Sequence, residues 1–512
     1  MIFHKHNINN LTYPNKKLKI NNKEIEFSRS TRYLGLIIDD KLTWAEHFTK
    51  VTKRAKQYLM QLLGTFSKSW GPRPNLVRWV YGSIVLARLC YAPMTWGFNI
   101  KLAHRIDKLR QVNRLASLMM CPTRNKSPTR ALELIHDLVP LEIYIQQQAL
   151  KTYTRLESQL DRDWTKTKQK NPNITPHLKY LKNLKQTITG GLVDTETTHK
   201  DISEKDYQIK IDPIKGRERP TGSQINIYTD GSKTKNGTGA GYVILDTNNN
   251  PIHTQSIHLT QSATIFQAEL TAITEVCKYL KTNNNNKHKY IKIFSDSKAS
   301  LQALSNPKCK SNTVYDTHCA LNTLSQDVKC LRLTWIKAHA GHDGNELADE
   351  YAKLGVIDTT YTIHTYITNK ELQSPIEIYT YHKWKEKWTN YKYCRQTKLF
   401  YPEPSKKMGK YVRQLARTDL SLLIQGITGQ NNLNYLNNLI TPQISPLCRF
   451  CEEEDETFEH ILTDCPVFYT QRINIFKFKP ILQSWTPGKL IQFIKTPDIL
   501  DAFNTNLTEE HK

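Results

Sequence analysis

The first 40 residues alternate apolar and polar positions over short distances, which is the period of β-strands. Residues 17–27 (KLKINNKEIEF) predict two strands joined by a turn at Asn21 and Asn22. Residues 31–39 (TRYLGLIID) predict one apolar strand that ends at Asp39. These patterns predict a small region of short strands at the start of the sequence.

A different spacing begins at Ala45, where apolar residues recur every three or four positions along one helical face. Lysine and arginine occupy much of the remaining surface of this predicted helix, so that it has one packed face and one basic face. A solvated basic face without a partner is the alternative. Similar patterns predict further helices at residues 76–89, 102–119, 131–138 and 141–156. Residues 1–160 are thus predicted to form a mainly helical, basic module.

The helical pattern is lost near residue 158, and we predict a linker over residues 161–222. Pro172 and the Gly190–Gly191 pair interrupt regular structure there, and some helix is expected around Leu178–Leu184.

Residues 223–357 alternate between strand and helix patterns. Ile225 and Ile227 alternate with polar neighbours up to Asp230, which predicts a strand that ends where Gly231 follows. A glycine-rich turn then returns the chain into a second strand, and the later patterns predict strand, helix, strand, helix, strand and helix. This order indicates an α/β fold, a mixed sheet covered by helices and flanked by mainly helical modules.

Residues 358–440 are predicted to form a basic, aromatic and helical region. Within them, residues 378–393 (IYTYHKWKEKWTNYKY) interleave Tyr and Trp with Lys. Such a segment can stack on a nucleic-acid strand and neutralise it. The other interpretation, which we favour, is a basic amphipathic helix that packs its aromatic residues inward.

Composition and charge narrow the class of protein. The chain has 512 residues, enough for about three domains, and a formal net charge of +25. Residues 1–130 hold 24 Lys and Arg against 6 Asp and Glu. This basic excess, with 25 Tyr and 9 Trp, indicates nucleic acid rather than a membrane as partner. No segment has the apolar length of a signal peptide or membrane span, so we expect an intracellular protein, in the nucleus or the cytoplasm, with reduced cysteines.

Three of the ten cysteines lie near a histidine with the spacing of a metal site. The pattern is Cys448-x2-Cys451-x8-His460-x4-Cys465, whose ligand types and short spacing predict a structural zinc site without an open position for catalysis. Three unrelated thiols and a histidine are the alternative. The acidic residues 452–456 disfavour direct phosphate contact, so we expect residues 441–512 to have a folding or docking role.

Four acidic residues occupy comparable places in the predicted sheet region. Asp230 and Asp296 end strands, while Glu269 and Asp349 lie on helices. A carboxylate beside an apolar helical face, as at Glu269, is costly unless a positive group meets it. Four converging acids repel one another unless divalent cations reverse that balance. Oxygen ligands suit Mg²⁺ or Mn²⁺, and two such ions support phosphodiester cleavage. Each acid alone is equally consistent with an ordinary cap or surface charge.

These acids lie in motifs that resemble type 1 ribonuclease H, which cuts the RNA strand of RNA-DNA hybrids. The motifs are TDGS with Asp230, AEL with Glu269, SDS with Asp296, and WIKAHAGHDGNELADEYA with His339, Asn345 and Asp349. The resemblance implies a ribonuclease H-like fold and metal binding by the four acids. It also implies that His339, on a mobile loop, assists proton transfer or product release, with His342 as a secondary candidate.

The flanking regions resemble non-LTR retrotransposon proteins more loosely. RYLGLIIDDKLTW, YAPMTWG and PLEIYIQQQAL resemble the region after the polymerase palm, where a helical thumb precedes ribonuclease H. LCRFCEEEDETFEHILTDCP resembles the C-terminal cysteine-histidine motif of such proteins. Asp39 and Asp40 do not fit the paired aspartates of a polymerase, which need an aromatic-x-Asp-Asp hairpin and a further acid upstream. Only 38 residues precede this pair, and Asp40 leads into a predicted helix start.

The predicted protein is therefore a retrotransposon-derived fragment that starts after the polymerase active site. We expect it to hydrolyse the RNA strand of RNA-DNA hybrids endonucleolytically, with Mg²⁺ or Mn²⁺ as cofactor. The alternative is a nucleic-acid-binding remnant without catalysis. Acids at all four positions favour the first interpretation.

Overall fold

The structure is a computed structural model, and it describes residues 18–25, 28–64, 71–121, 123, 126–160, 174–189, 200–211, 224–246, 248–260, 263–283, 289–309, 311–367, 371–477, 482 and 485–504. The chain divides into two units. The helical unit comprises Met1–Leu150, Asn171–His177 and Glu377–Lys512. The sheet unit comprises Lys151–Lys170 and Leu178–Ile376.

The strands of the described residues are short except in the centre of the sheet unit. They are β1 (Leu18–Ile20), β2 (Lys23–Ile25), β3 (Ser30–Tyr33), β4 (Leu36–Asp39), β5 (Lys200–Asp201), β6 (Gln208–Lys210), β7 (Gln224–Lys233), β8 (Thr238–Leu245), β9 (Pro251–Leu259), β10 (Tyr290–Ser295), β11 (Lys308–Cys309), β12 (Cys330–Trp335) and β13 (Thr362–Ile363).

Helices precede, separate and follow these strands along the described parts of the chain. They are α1 (Ala45–Gly64), α2 (Pro74–Val80), α3 (Ala87–Leu89), α4 (Pro93–Trp96), α5 (Ala103–Met120), α6 (Thr129–Ile135), α7 (Leu141–Leu160), α8 (Ile174–Thr189), α9 (Ile265–Thr282), α10 (Lys298–Ser305), α11 (Asn312–Ser325), α12 (Asp343–Ile357), α13 (Gln373–Thr389), α14 (Arg395–Phe400), α15 (Lys406–Val412), α16 (Arg417–Thr428), α17 (Asn434–Ile440), α18 (Phe458–Thr463), α19 (Tyr469–Phe476), α20 (Pro487–Ile494) and α21 (Pro497–Asn504). A π-helical turn, Tyr81–Leu86, joins α2 to α3.

A mixed sheet forms the centre of the sheet unit, in the order β13-β9-β8-β7-β10-β12-β6. β7, β8 and β9 are antiparallel neighbours, whereas β10 runs parallel to both β7 and β12. Side chains alternate between its faces, so that Ile227 packs with α9, α10 and α11 while Tyr228 packs with α12. Each large apolar side chain buried in this way contributes roughly 1.5–3 kcal/mol. The predicted α/β fold with a mixed sheet covered by helices is confirmed.

The first described residues form two hairpins. β1 and β2 pair across the predicted turn at Asn21 and Asn22. Residues 31–39, predicted as one strand, instead fold back so that β3 pairs with β4. The turn residues Leu34 and Gly35 have φ of 46° and 85°, and a tight hairpin turn requires two such positive values. The prediction of one strand was wrong because the apolar Leu34 concealed the turn.

Residues 200–211, which the sequence placed in the linker, contribute to the sheet unit. β6 pairs in parallel with β12, and β5 pairs with β11. β6 has only Ile209 as an apolar residue, which is too little to reveal a strand by its pattern. The helical content expected around Leu178–Leu184 is present as α8, and much of the remaining predicted linker lies outside the described residues. α11 was not predicted either, although Leu321 packs in the core of the sheet.

Two apolar cores stabilise the helical unit. One contains the fully buried Trp96 and Leu109 and joins α1, α2 and α5. The other joins residues from 121 to 135 with residues from 384 to 503, so that segments about 250 or more residues apart in the sequence share a core. Trp384 and Trp388 of α13 are each 3% exposed, which confirms that this basic helix packs its tryptophans inward. Within the described ranges, no helix has the length and apolarity needed to cross a membrane.

Candidate active site

The candidate site begins where β7 passes against α9. The sequence placed Asp230 at a strand end, but β7 continues to Lys233 and pairs Gly231 with Ala240 of β8. A Cβ on Gly231 would lie 2.8 Å from both the Cβ of Ala268 and the backbone nitrogen of Glu269. Gly231 is therefore needed for close packing of the strand on the helix rather than for a turn. This packing places Glu269 next to Asp230.

Asp296 reaches the same place from the neighbouring strand. β10 runs parallel to β7 with Ser295 opposite Thr229, so the following residues, Asp296 and Asp230, lie side by side. The indole N–H of Trp335 donates to the backbone carbonyl of Asp296 at 3.0 Å. This hydrogen bond fixes the backbone that carries the third carboxylate.

The three carboxylates form one group. One oxygen from each of Asp230, Glu269 and Asp296 lies within 4.8 Å of the other two. Asp230 and Glu269 are 8% and 5% exposed. Burial and then the charge of Asp296 raise the pKa of Asp230 to about 7, although the N–H of Gly231 donates to its Oδ1 at 2.7 Å. Burial and then the charge of Asp230 raise the pKa of Glu269 well above its usual range. The group therefore retains protons that a cation would displace.

Two orphaned oxygens show that this donor set fits a hard divalent cation. Glu269 Oε2 is buried and has no hydrogen-bond partner within the described part of the chain, although buried polar atoms ordinarily have one. Asn345 Oδ1 is buried and unpaired in the same way, while its Nδ2 donates to Asp296 Oδ2 at 3.4 Å. Mg²⁺ and Mn²⁺ prefer such oxygen ligands, and Asp230, Glu269 and Asp296 are the residues that would hold them.

Asp349, the fourth predicted acid, lies beside this group rather than in it. Its Oδ2 accepts a hydrogen bond from Lys353 Nζ at 2.6 Å, one turn later in α12. Its charge contributes to the raised pKa of Asp230, after burial and Asp296. α12 can approach this closely because a Cβ on Gly241 of β8 would lie 2.3 Å from the backbone nitrogen of Ala352.

The predicted histidine lies apart from the carboxylates. His339 is exposed in the turn between β12 and α12, with φ of 50°, and His342 is exposed just before α12. The structure thus brings together three of the five predicted catalytic residues, with Asp349 adjacent. Sequence reasoning assigned no role to Asn345. The signal for it was its position four residues before Asp349, which places both side chains on one helical face.

The four predicted zinc ligands also meet. One ligand atom from each of Cys448, Cys451, His460 and Cys465 lies within 4.8 Å of the others. His460 Nε2 lies 3.2 Å from the Cys451 sulfur, whereas Nδ1 lies 3.1 Å from Glu454 Oε2. The imidazole is therefore arranged with Nε2 toward the sulfurs and Nδ1 toward a carboxylate, as in zinc-binding histidines.

Hydrogen bonds within the loop favour ionisation of the Cys451 thiol. Burial opposes ionisation of Cys451, but the backbone N–H groups of Glu453 and Glu454, together with His460, lower its pKa to about 7. Beside them, Arg449 donates to both oxygens of the fully buried Glu456, at 2.7 and 2.9 Å. The loop is thus fixed by its own side chains and favours a thiolate at Cys451, whereas burial raises the pKa of Cys448 to about 12 and raises the pKa of Cys465.

Comparison with known proteins identifies the central part of the chain. The family model described as RNase H matches residues 222–357, and these residues form a ribonuclease H domain. RNase H1 from the halophilic archaeon Halobacterium salinarum NRC-1 is 18% identical over 26% of this chain and 97% of that chain, with a TM-score of 0.22. The N-terminal RNase H domain of rv2228c from Mycobacterium tuberculosis, solved as a fusion with maltose binding protein, is 18% identical over 26% and 98%, with a TM-score of 0.22. LC11-RNase H1 in complex with RNA/DNA hybrid is 21% identical over 26% and 99%, with a TM-score of 0.23. No curated protein matches the chain.

Proposed function

We propose that the chain hydrolyses the RNA strand of RNA-DNA hybrids endonucleolytically, with divalent metal at Asp230, Glu269, Asp296 and Asp349. The observation that carries this proposal is the convergence of three carboxylates, two of them buried, inside a ribonuclease H domain. Within the described residues, no Lys or Arg forms an ion pair with these three acids. A site of this kind is costly unless a cation occupies it.

The protein groups have distinct roles in this proposal. Mg²⁺ or Mn²⁺, as two ions, would activate a water molecule and stabilise the leaving oxygen. Asp230 has carboxylates on both sides, from Glu269 and Asp296, and is the natural shared ligand. Asn345 orients Asp296 through its amide N–H. Asp349 completes the set once its carboxylate leaves the ammonium of Lys353.

His339 is proposed to assist proton transfer or product release. Its exposed position in the turn before α12 is compatible with contact to a bound substrate. Replacement of a general acid or base lowers the rate by roughly 10²–10⁴-fold. His339→Ala should therefore reduce cleavage and alter its pH profile, whereas His342→Ala should have the smaller effect.

The decisive experiment measures cleavage of a labelled RNA-DNA hybrid by the full chain in Mg²⁺. The wild type should cut the RNA strand, and Asp230→Asn should not. Asp316→Asn, an exposed acid on α11 of the same unit, is the matched control and should cleave normally. Equal cleavage by all three proteins, or cleavage by none, would refute the catalytic assignment. Hybrid binding without cleavage would then favour the non-catalytic alternative.

We further propose that Cys448, Cys451, His460 and Cys465 bind one structural zinc ion. Four protein ligands complete a tetrahedral shell, and binding of such an ion is coupled to folding. Cys448→Ser should lose the bound zinc and lower the thermal midpoint, whereas the exposed Cys319→Ser should change neither. Zinc released on denaturation, measured with a colorimetric chelator, tests this.

A retrotransposon origin is proposed for the regions around the ribonuclease H domain. The proposed order is a reverse-transcriptase palm edge and thumb over 1–160, a linker over 161–222, ribonuclease H over 223–357, a helical region over 358–440 and the zinc region over 441–512. The carboxylate of Asp39 accepts hydrogen bonds from the N–H groups of Thr43 and Trp44, at 2.8 and 2.6 Å, near the start of α1. This capping role supports our interpretation that Asp39 and Asp40 are not a polymerase pair. Primer extension on an RNA template should give no DNA product.

A further inference from the structure

The helical unit contains a cleft that the proposed nuclease chemistry does not use. It has a volume of about 260 Å³ and lies between α5, α6 and the end of α13. This volume is slightly below the roughly 300–1,000 Å³ of sites for drug-sized ligands. The cleft therefore suits one small planar group rather than an extended ligand.

One wall of the cleft is aromatic and fixed in position. Tyr391 lies nearly parallel to Trp388, with ring centroids 6.3 Å apart and an interplanar angle of 23°. The indole N–H of Trp388 donates to the carbonyl of Tyr401 at 2.8 Å, which holds that ring in place. Trp388 is almost fully buried, while Tyr391 is partly exposed. Tyr391 is thus the ring whose face a ligand can reach.

The opposite wall carries two arginines with different hydrogen-bonding states. Arg130 is engaged by two carboxylates, Glu133 and Glu142, at 2.8 and 2.9 Å. Arg110 pairs only through NH1, with Asp107 at 3.0 Å. The Nε of Arg110 is buried without a partner among the described residues. The Arg110 side chain is 41% exposed, so the terminal nitrogens of its guanidinium, rather than the buried Nε, are the donors that a ligand in the cleft can reach.

The surface along α5 is strongly basic. Residues 101–114 carry five Lys or Arg and one acid. Burial, together with the charge of Lys108, lowers the pKa of Lys56 on α1, so these two ammonium groups lie near each other. Clusters of this kind attract the phosphates of nucleic acids. Arg105 is buried, and Lys108 lies on a different face of α5 from Arg110 because the two are only two residues apart, so these cations attract a polyanion to the helix but do not line the cleft.

We propose that this cleft receives one unpaired base of a single-stranded nucleic acid. The base stacks on Tyr391, and an acceptor on its edge pairs with a terminal N–H of the Arg110 guanidinium. Unpaired bases are recognised in this way by aromatic faces and by arginine, and purine N7 and O6 are acceptors for arginine. The proposal concerns the helical unit and does not depend on ribonuclease activity.

The test measures binding of a short, fluorescently labelled single-stranded oligoadenylate to the full, zinc-containing chain by anisotropy, without added magnesium. Tyr391→Leu and Arg110→Gln should each weaken binding about tenfold, and Tyr391→Phe should bind like the wild type. Tyr411→Leu and Lys410→Gln remove an exposed ring and an exposed charge from α15 of the same unit. These matched controls should change the affinity by less than about twofold.

Several results would overturn the proposal. One is wild-type affinity in Tyr391→Leu and Arg110→Gln at an unchanged thermal midpoint. Another is a loss of heparin binding in these variants as large as their loss of oligoadenylate binding. Heparin has no bases, so this result would show that the variants affect only charge. Displacement of the oligonucleotide by equally low concentrations of adenosine monophosphate would assign the cleft to a free nucleotide instead. If Tyr391→Leu does not fold, the oligoadenylate affinities of Arg110→Gln and Lys410→Gln are compared instead. Equal affinities in these two variants would overturn the proposal. Tyr391→Phe should also retain hybrid cleavage, measured on the same preparations, because the cleft is not part of the proposed nuclease site.

Discussion

The helical unit and the sheet unit both bury carboxylates, but they compensate the charge differently. In the helical unit, the Glu133 and Glu142 side chains lie on either side of the Arg130 guanidinium, at 2.8 and 2.9 Å. Lys387 also pairs with Glu142. Arg130 and Lys387 hold the pKa of Glu142 below its usual value even though burial raises it. Burial raises the pKa of the fully buried Glu133 despite Arg130. The protein itself thus supplies the counter-charge.

In the sheet unit, the buried acids meet each other instead. Asp230 and Glu269 lie close to Asp296. Burial raises the pKa of both, together with the charge of Asp296 at Asp230 and the charge of Asp230 at Glu269. A buried acid with its own cation is part of the framework. A group of buried acids without one requires an external cation, and perturbed carboxylates of this kind often mark functional sites.

Removal of the internal counter-charge should have the largest effect. Arg130→Met leaves two buried carboxylates without their guanidinium, and breaking such a pair costs about 3–5 kcal/mol. The free energy of unfolding of the helical unit should decrease by this amount in urea titrations that are followed by tryptophan fluorescence. Arg395→Met, which removes an exposed ion pair with Glu459, is the control and should change little. An equal decrease in the free energy of unfolding in both variants would contradict the role of Arg130 as an internal counter-charge.

The corresponding change in the sheet unit should affect activity rather than stability. Glu269→Gln resembles the protonated acid, so the metal-free protein should unfold at the same temperature or above that of the wild type. Cleavage of the hybrid should fall by more than about a hundredfold, because a proposed ligand of the metal is lost. Thermal melting in a metal-free buffer and a cleavage assay measure the two effects. Glu204→Gln, an exposed acid of the same unit, should alter neither. A marked loss of metal-free stability in Glu269→Gln would contradict this expectation.

The sequence predicted much of the sheet unit because its strands and helices have clear apolar periods. Its motifs also predicted the acids of the sheet unit and the three cysteines and one histidine near the end of the chain, but gave no signal for Glu133 and Glu142. It did not reveal the structural role of Gly231. The Asp-Gly pair predicts a turn, whereas the glycine permits close contact between the strand and Ala268 of α9. The placement of Asp296 beside Asp230 depends on the register of two strands that are distant in sequence, and a local pattern carries no such information. The three-residue strand β6 was too short to detect.

The pH dependence of stability should follow from Asp230. Its pKa rises from near 3.8 in the unfolded chain to about 7 in the folded protein, so the folded state binds more protons between these values. Without divalent metal, this contribution to stability is complete below the unfolded pKa and is lost as the pH rises through 7. Mg²⁺ should therefore raise the thermal midpoint more at about pH 8 than at about pH 5.

Two variants separate this effect from a general response to pH. Asp230→Asn should flatten both the pH dependence and the response to Mg²⁺, because the titrating carboxyl is removed. Asp316→Asn, with its exposed acid, should keep both. A Mg²⁺ response that is unchanged in Asp230→Asn would place the metal at another site.

The smallest expected effect concerns Lys353, whose partner Asp349 lies beside the acidic group. Lys353 Nζ pairs with Asp349 at 2.6 Å, so it competes with a metal ion for that carboxylate. Lys353→Gln should release Asp349 and lower the Mg²⁺ concentration for half-maximal cleavage, by less than about fivefold because the pair is exposed to solvent. A Mg²⁺ titration of hybrid cleavage measures this shift, with Lys278→Gln as the control at an exposed lysine of α9. A higher Mg²⁺ requirement in Lys353→Gln would show that the lysine positions Asp349 for the metal rather than competing with it.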